Sequence, residues 1–305
     1  MEARFILHFV SPLKNVSPFD VNMAVDAGFD VVAPYTDVDL KEVGGLVQDA
    51  MFSRAPDHAG RTAMLIGGRD PLLALDMFEA AKAAMFPPFQ FSVLVDPSGA
   101  FTTAAGMIAV VERHLAKQGL ELGGRRVAVF GATGPVGGIA GLIAAQCGAK
   151  VTLVGYDGLQ RVTAKADAFG ERFGAALTPA DGSDDAKKLE VLESAEVVLA
   201  AGRAGTQILS KQQLASAKTL RVALDINAVP PAGLEGIGAF DAGKPIEGTE
   251  GVGVGALAVG NVKFKTEHEL LSSMRAPEKP LHLNFVEAFE TARKHAKKNA
   301  RKDAK

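Results

Sequence analysis

Cysteine is nearly absent. Cys147 is the only one in 305 residues, which leaves neither an internal disulfide framework nor a cysteine-based zinc or iron-sulfur site, and a reducing cytoplasmic setting is expected. The six histidines, at positions 8, 58, 114, 268, 282 and 295, have no ligand-like spacing. No carboxylate pair reads as a metal motif, so no catalytic metal is expected. Long apolar runs are missing too. Met1-Glu-Ala-Arg-Phe-Ile-Leu-His-Phe-Val10 places a few apolar residues after an acid, and neither a secretory signal nor a transmembrane span is expected there. There is no excess of positive charge: 33 Lys and Arg face 35 Asp and Glu. The formal net charge of −2 gives no overall reason to bind nucleic acid. Positive charge does gather in residues 293 to 305, seven Lys or Arg with one Asp, leaving the rest of the chain at −8. A solvated, frayed helix end is the expectation there.

What is present is hydrophobic mass. With 48% hydrophobic residues against 22% charged, the chain can bury a substantial core. Apolar runs at Phe5 to Val10, Val31 to Pro34, Thr62 to Ile66, Phe91 to Val95, Arg126 to Phe130, Lys150 to Val154, Val197 to Ala200 and Arg221 to Asp225 read as buried strands. They alternate with segments of helical period at Pro18 to Ala27, Pro71 to Met85, Thr102 to Lys117, Val136 to Cys147 and Leu159 to Phe173. The alternation predicts an α/β protein with largely parallel sheets. The glycine-rich stretch 118–125 is the expected hinge, dividing an N-terminal α/β domain, 1–120 joined by 263–305, from a second domain at 121–262. Cys147 and Met23, Met51, Met64, Met77 and Met107 read as packing.

The most specific signal is Arg126-Val-Ala-Val-Phe-Gly-Ala-Thr-Gly-Pro-Val-Gly137. Glycines 131, 134 and 137 stand between a strand and a helix in a GxxGxxG variant of the dinucleotide fingerprint. Gly131 permits a sharp turn, Gly134 removes a side chain where a pyrophosphate would approach, and Gly137 permits close helix-to-strand packing. The N–H groups of the helix start, at Thr133, Gly134 and Val136, attract phosphate, with Pro135 setting the first helical turn. A second strand ends at Gly155-Tyr156-Asp157, about where an acid meets the adenosine ribose. The whole βαβ unit makes the second domain a Rossmann-type dinucleotide-binding domain. Asp157 favours NAD, while Arg161, four residues on, is placed to turn back to a 2′-phosphate, so NADP stays possible. Ala200-Ala201-Gly202 ends a strand in small residues that let a ribose approach. Asn227 offers a hydrogen bond to the nicotinamide carboxamide, or an Asx turn.

Five segments carry a resemblance over nearly the whole chain. They are Ser11-Pro-Leu-Lys-Asn-Val-Ser-Pro-Phe-Asp20, Asp96-Pro-Ser-Gly-Ala-Phe-Thr-Thr103, Phe130-Gly-Ala-Thr-Gly-Pro-Val-Gly137, Asp225-Ile-Asn-Ala-Val-Pro-Pro-Ala-Gly233 and Gly251-Val-Gly-Val-Gly-Ala-Leu-Ala-Val-Gly-Asn-Val-Lys-Phe-Lys265. Together they resemble the bacterial NAD(P)-dependent methylene-tetrahydromethanopterin dehydrogenases, which oxidise a pterin-bound one-carbon unit. The resemblance implies a pterin substrate in a cleft between two domains, NAD(P) as hydride acceptor and a homo-oligomer. It also implies Lys263 as the active-site lysine. Asp20, after a Ser-Pro turn at a helix start, is the first candidate for a carboxylate that contacts the pterin, with helix capping or first-turn dipole matching as its other role. Thr102 and Thr103 stand at a helix start, where one caps and the other meets substrate or nicotinamide. Asp96 fixes their loop. If the run around Lys263 is extended, Lys265 faces the same side, and the resemblance alone chooses between them. The Tyr-xxx-Lys arrangement of the bifunctional folate dehydrogenase/cyclohydrolases is not seen here. A folate-specific dehydrogenase and a non-catalytic nucleotide-sensing protein are the competing readings, and neither nucleic acid nor membrane is an expected partner.

Overall fold

The computed structural model describes residues 3–303, with side chains to residue 298. The chain divides into two compact units, Met1–Thr102 with Phe264–Thr291 and Thr103–Lys263 with Ala292–Lys305.

The elements run β1 (Ile6–Val10), α1 (Pro18–Asp26), β2 (Val31–Tyr35), α2 (Val43–Phe52), β3 (Thr62–Ile66), α3 (Pro71–Ala83), β4 (Ser92–Val95) and α4 (Ala100–Ala116). Then follow β5 (Arg126–Phe130), α5 (Pro135–Gln146), β6 (Lys150–Gly155), α6 (Leu159–Phe173), β7 (Leu177–Asp181), α7 (Asp185–Ser194), β8 (Val197–Ala200), α8 (Lys211–Ser216) and β9 (Val222–Asp225). The chain closes with β10 (Ala242–Pro245), β11 (Val252–Val254), α9 (Ala256–Ser273), β12 (His282–Leu283) and α10 (Phe285–Asp303).

In the first unit, five strands form an all-parallel sheet in the order β12-β4-β3-β1-β2. β3 and β4 are buried along their whole length, as strands covered on both faces must be. The chain leaves β1 in one direction to β2 and in the other to β3, so strand order reverses between β1 and β3. In the second unit the order is β10-β11-β9-β8-β5-β6-β7, parallel except for the β10–β11 pair, and the reversal falls between β5 and β8. Crevices for ligands open at such switch points, beyond the carboxyl ends of the strands.

All eight expected strands form, within a residue or so of the expected ends. Four more appear. β7 is a half-exposed Leu-Thr-Pro-Ala-Asp at one sheet edge, and β10 is an exposed Ala-Gly-Lys-Pro at the other. Edge strands carry polar residues and proline, so no apolar run marked them. β11 and β12 span only three and two residues.

The glycine-rich stretch expected as the hinge lies inside the second unit. Leu122 is buried there and the Gly124 N–H bonds the Gly148 carbonyl at 2.8 Å, anchoring the stretch beneath β6. The division falls within α4, α9 and α10 instead. In the basic tail, α10 continues to Asp303, and the final two residues lie outside the described residues. Cys147 is half-buried at the end of α5, and burial pushes its thiol up to about 11. Among the described residues no helix is long and apolar enough to cross a membrane.

Two histidines of the first sheet are held below their ordinary range, His8 by burial and then by Arg54, His282 by burial and then by Lys82. A histidine that the fold keeps neutral binds fewer protons folded than unfolded. The stability it contributes is therefore present above about pH 6.5 and lost as pH falls through the folded value. Urea denaturation at stepped pH should show stability falling below about pH 6.5, with a shallower slope in His8→Gln/His282→Gln. An unchanged slope in the double variant would remove both histidines as the cause.

Candidate active site

The second unit holds a cavity of about 510 Å³ at its switch point, lined by Phe130, Gly131, Thr133, Gly134 and Val154, by Tyr156, Gly182, Ser183 and Lys188, and by Ala201 to Ile208 except Ala204 and Gly205. These are the carboxyl ends of β5, β6, β7 and β8. Gly131 turns the chain at φ +79°, and a Cβ on it would sit 2.5 Å from the Ala201 carbonyl and the Gly202 nitrogen. A Cβ on Gly137 would sit 2.5 Å from the Gly131 oxygen. Both glycines thus have the roles expected of them. Gly134 is the N-cap of α5, followed by Pro135 in the first turn, and no side chain caps this helix start. Its amides are left to an anion, and the cradle fits a pyrophosphate.

At the end of β6, Asp157 pairs with Arg161 at 2.8 Å, and Arg161 also donates to the Tyr156 hydroxyl at 3.1 Å. All three are exposed. Ala201 and Gly202 line the cavity as expected. Asn227 does not. Its Oδ1 accepts from the N–H groups of Gly205 at 3.2 Å and Val229 at 2.9 Å, and its Nδ2 donates to the Pro231 carbonyl at 2.8 Å. The carboxamide pins two loops together, so the Asx-turn role holds and the nicotinamide role is withdrawn. Asp225, buried, accepts from the N–H groups of Asn227 and Leu234, and burial pushes its carboxyl up. Ser183, Lys188, Arg203 and Thr206 were not anticipated, because two follow the edge strand β7 and two lie in an irregular loop.

The first unit has its own cavity, of about 330 Å³, at the β1/β3 switch point. It is lined by Phe9 of β1, by Ser11 and Leu13 after it, by Asn15 to Ser17, by Pro18 and Asp20 of α1, by Gly67 to Arg69 after β3, and by Ser98. Ser17 caps α1, accepting from the Asp20 N–H at 3.3 Å, so Asp20 is not the cap. Its carboxylate sits in the first turn, 4% exposed, on the cavity wall. Ser98 adopts φ +53° and donates to the Gly68 carbonyl at 2.6 Å. Asp96 accepts from the Phe101 N–H at 2.8 Å, the Thr102 N–H at 3.3 Å and the Thr102 hydroxyl at 2.5 Å. It fixes the loop as expected. Thr102 is fully buried by this cap and is withdrawn as a substrate contact, whereas Thr103 is half-buried.

Lys263 lies on α9, not on an extended run. Residues two apart on a helix point to opposite sides, so Lys265 does not share its face, and Lys263 is half-buried while Lys265 is exposed. Gly106 on α4 packs against this turn: a Cβ there would lie 3.5 Å from the Lys263 backbone nitrogen.

The family model "Methylene-tetrahydromethanopterin dehydrogenase, N-terminal" matches residues 18–98. The chain is 47% identical to the NAD(P)-dependent methylenetetrahydromethanopterin dehydrogenase of Methylorubrum extorquens, over 95% of this chain and 98% of that protein. It is 33% identical to the bifunctional protein MdtA of the same bacterium, over 85% of this chain and 88% of the other. Among solved structures, ligand-free 5-ketofructose reductase of Gluconobacter shares the fold, with TM-score 0.51 and 13% identity over 96% of this chain and 99% of that one.

Two variants test the geometry. Gly131→Ala places a methyl group against the Ala201–Gly202 peptide at a φ that costs an L-residue about 1–2 kcal/mol before the clash. Calorimetric titration should show dinucleotide binding weakened more than about tenfold. Asp96→Ala strips three donors of their acceptor and should cost about 1–3 kcal/mol in urea denaturation. Wild-type values for either would discard the corresponding contact.

Proposed function

The chain belongs to the methylene-tetrahydromethanopterin dehydrogenase family, and from that premise we infer that it oxidises methylene-tetrahydromethanopterin to the methenyl form with NAD(P)⁺. The observation that carries the reading is the glycine cradle at the β5/β8 switch point, kept in a chain 47% identical to an enzyme of that name.

Hydride loss from a methylene carbon between two nitrogens leaves a delocalised amidinium cation, so the substrate stabilises its own charge and no strong base is required. NAD(P)⁺ supplies the hydride acceptor when bound. The protein's work is positioning and exclusion of water. Gly131, Thr133, Gly134 and Gly137 with the first turn of α5 hold the pyrophosphate. Tyr156 and Asp157 meet the adenosine ribose, and Ala201 and Gly202 admit the nicotinamide ribose. In the first unit, the buried Asp20 carboxylate offers the pterin an acceptor and a compensating negative charge. Lys263 binds the pterin carbonyl, and Thr103 offers a hydroxyl to substrate or nicotinamide. We place the enzyme in the cytoplasm as a homo-oligomer. The first follows from its single cysteine, the second from the family likeness.

The test is initial-rate formation of NADH and NADPH from methylene-tetrahydromethanopterin, with methylene-tetrahydrofolate in parallel. Turnover of the methanopterin carrier is expected, and turnover of the folate alone would overturn the assignment. Lys263→Ala and Asp20→Asn should each lower kcat by roughly a hundredfold, with dinucleotide Kd changed less than about threefold. Full turnover in either variant would take that residue out of the site.

A further inference from the structure

One wall of the crevice at the β5/β8 switch point is the turn at residues 203–207, of which Arg203, Thr206 and Gln207 line the cavity. The Thr206 N–H closes the turn on the Arg203 carbonyl at 3.2 Å, and Gly205 carries it at φ +72°. Arg203, Ala204, Thr206 and Gln207 are all exposed. Among the described residues, one hydrogen bond ties the turn to another part of the chain: the Gly205 N–H donates to Asn227 Oδ1 at 3.2 Å.

Asn227 does not line the cavity, and its other bonds fix it where it stands. The same Oδ1 accepts from the Val229 N–H at 2.9 Å, and Nδ2 donates to the Pro231 carbonyl at 2.8 Å. Its own N–H donates to Asp225 Oδ1 at 2.9 Å, while Asp225 Oδ2 accepts from the Leu234 N–H at 3.0 Å. Asp225 is 2% exposed, and a Cβ on Gly233 would sit 2.8 Å from its Oδ1, so loop 227–234 is closed tightly on this carboxylate. The Gly233 carbonyl then accepts from the Ile208 N–H at 2.7 Å, just past the turn. The wall is thus held at Gly205 and at Ile208 by one loop, and a buried carboxylate holds that loop. A turn with exposed side chains and one tether opens at low cost once the tether is lost, and a ligand must then spend binding energy on ordering it.

We propose that Asn227 is a positioning residue for dinucleotide binding: from outside the crevice it holds the 203–207 turn in place through Gly205, and Asp225 holds Asn227. The competing role is a local Asx turn from Asn227 to Val229 that serves its own loop alone. The assignment rests on the crevice being the dinucleotide site, as proposed above.

The test is calorimetric titration with NAD⁺ and NADP⁺ on the wild type and on Asn227→Ala, Asn227→Ser and Asn227→Asp, with residue-resolved hydrogen exchange on the wild type. Alanine removes all three side-chain bonds. Serine keeps an oxygen for the Val229 N–H and is too short to reach Gly205 as well, whereas aspartate keeps an acceptor for both N–H groups. Kd for the tighter-binding dinucleotide should rise at least about tenfold in the alanine and serine variants and stay within about threefold of wild type in the aspartate variant. In the wild type the Gly205 amide should exchange more slowly than the unbonded Ala204 amide. Equal exchange at the two amides, a serine variant that binds like the wild type, or an aspartate variant as weak as the alanine one overturns the tether. A wild-type protein that binds a dinucleotide, with Kd within about twofold in the alanine variant, overturns the positioning role and leaves the dinucleotide reading standing. A wild-type protein that binds neither dinucleotide overturns both.

Discussion

The second unit depends on a gap too narrow for a methyl group. β5 and β8 lie side by side, and where β5 ends, Gly131 passes the Ala201–Gly202 peptide so closely that only a hydrogen atom fits. The chain turns there at positive φ, and α5 begins four residues on. Gly137 lets that first helical turn rest on the Gly131 carbonyl. The result is a helix start without a side-chain cap, next to the small residues Ala201 and Gly202 that follow β8. A helix start of this kind attracts an anion through its amides and needs no dedicated charged side chain.

The first unit solves a related problem with other residues. Its switch point is also kept open by glycine, since a Cβ on Gly67 would lie 2.8 Å from the Phe9 ring. Here, however, side chains do the holding. Asp96 gathers the start of α4, Ser98 ties its loop to Gly68, and Ser17 caps α1, so that the Asp20 carboxylate is spared capping and faces the cavity. The loops that border this switch point are thus fixed by hydrogen bonds rather than by sterics alone.

Much of this was readable from residue order because the central strands are covered on both faces and their burial writes continuous apolar runs. β3, β5 and β8 are examples. The glycine turn was readable because steric exclusion at Gly131 and Gly137 admits only one residue type. Features that depend on side chains choosing among partners were not. Asn227 and Thr102 have the chemistry of ligand contacts, and only the fold shows that backbone amides and Asp96 had already claimed them. Lys263 was read as extended because Gly255, Val259, Gly260 and Val262 look unlike a helix. Burial of Val259, Val262, Thr266, Leu270 and Met274 at three- and four-residue steps overrides that local preference. Lys188 was missed because it belongs to the helix after β7, whose polar edge sequence hid the strand.

The glycine turn after β5 and the surface at the end of β6 differ in what a substitution there would cost. The turn is made of backbone held by close packing, so changing it means changing the fold. The end of β6 carries side chains at the surface: Arg161 is 57% exposed and pairs with Asp157. Exposed pairs of this kind contribute about 0–1 kcal/mol to stability, so Asp157 and Arg161 can vary with little penalty to folding. The close packing at Gly131 and Gly137 is therefore tied to the fold, whereas the exposed Asp157–Arg161 pair is not.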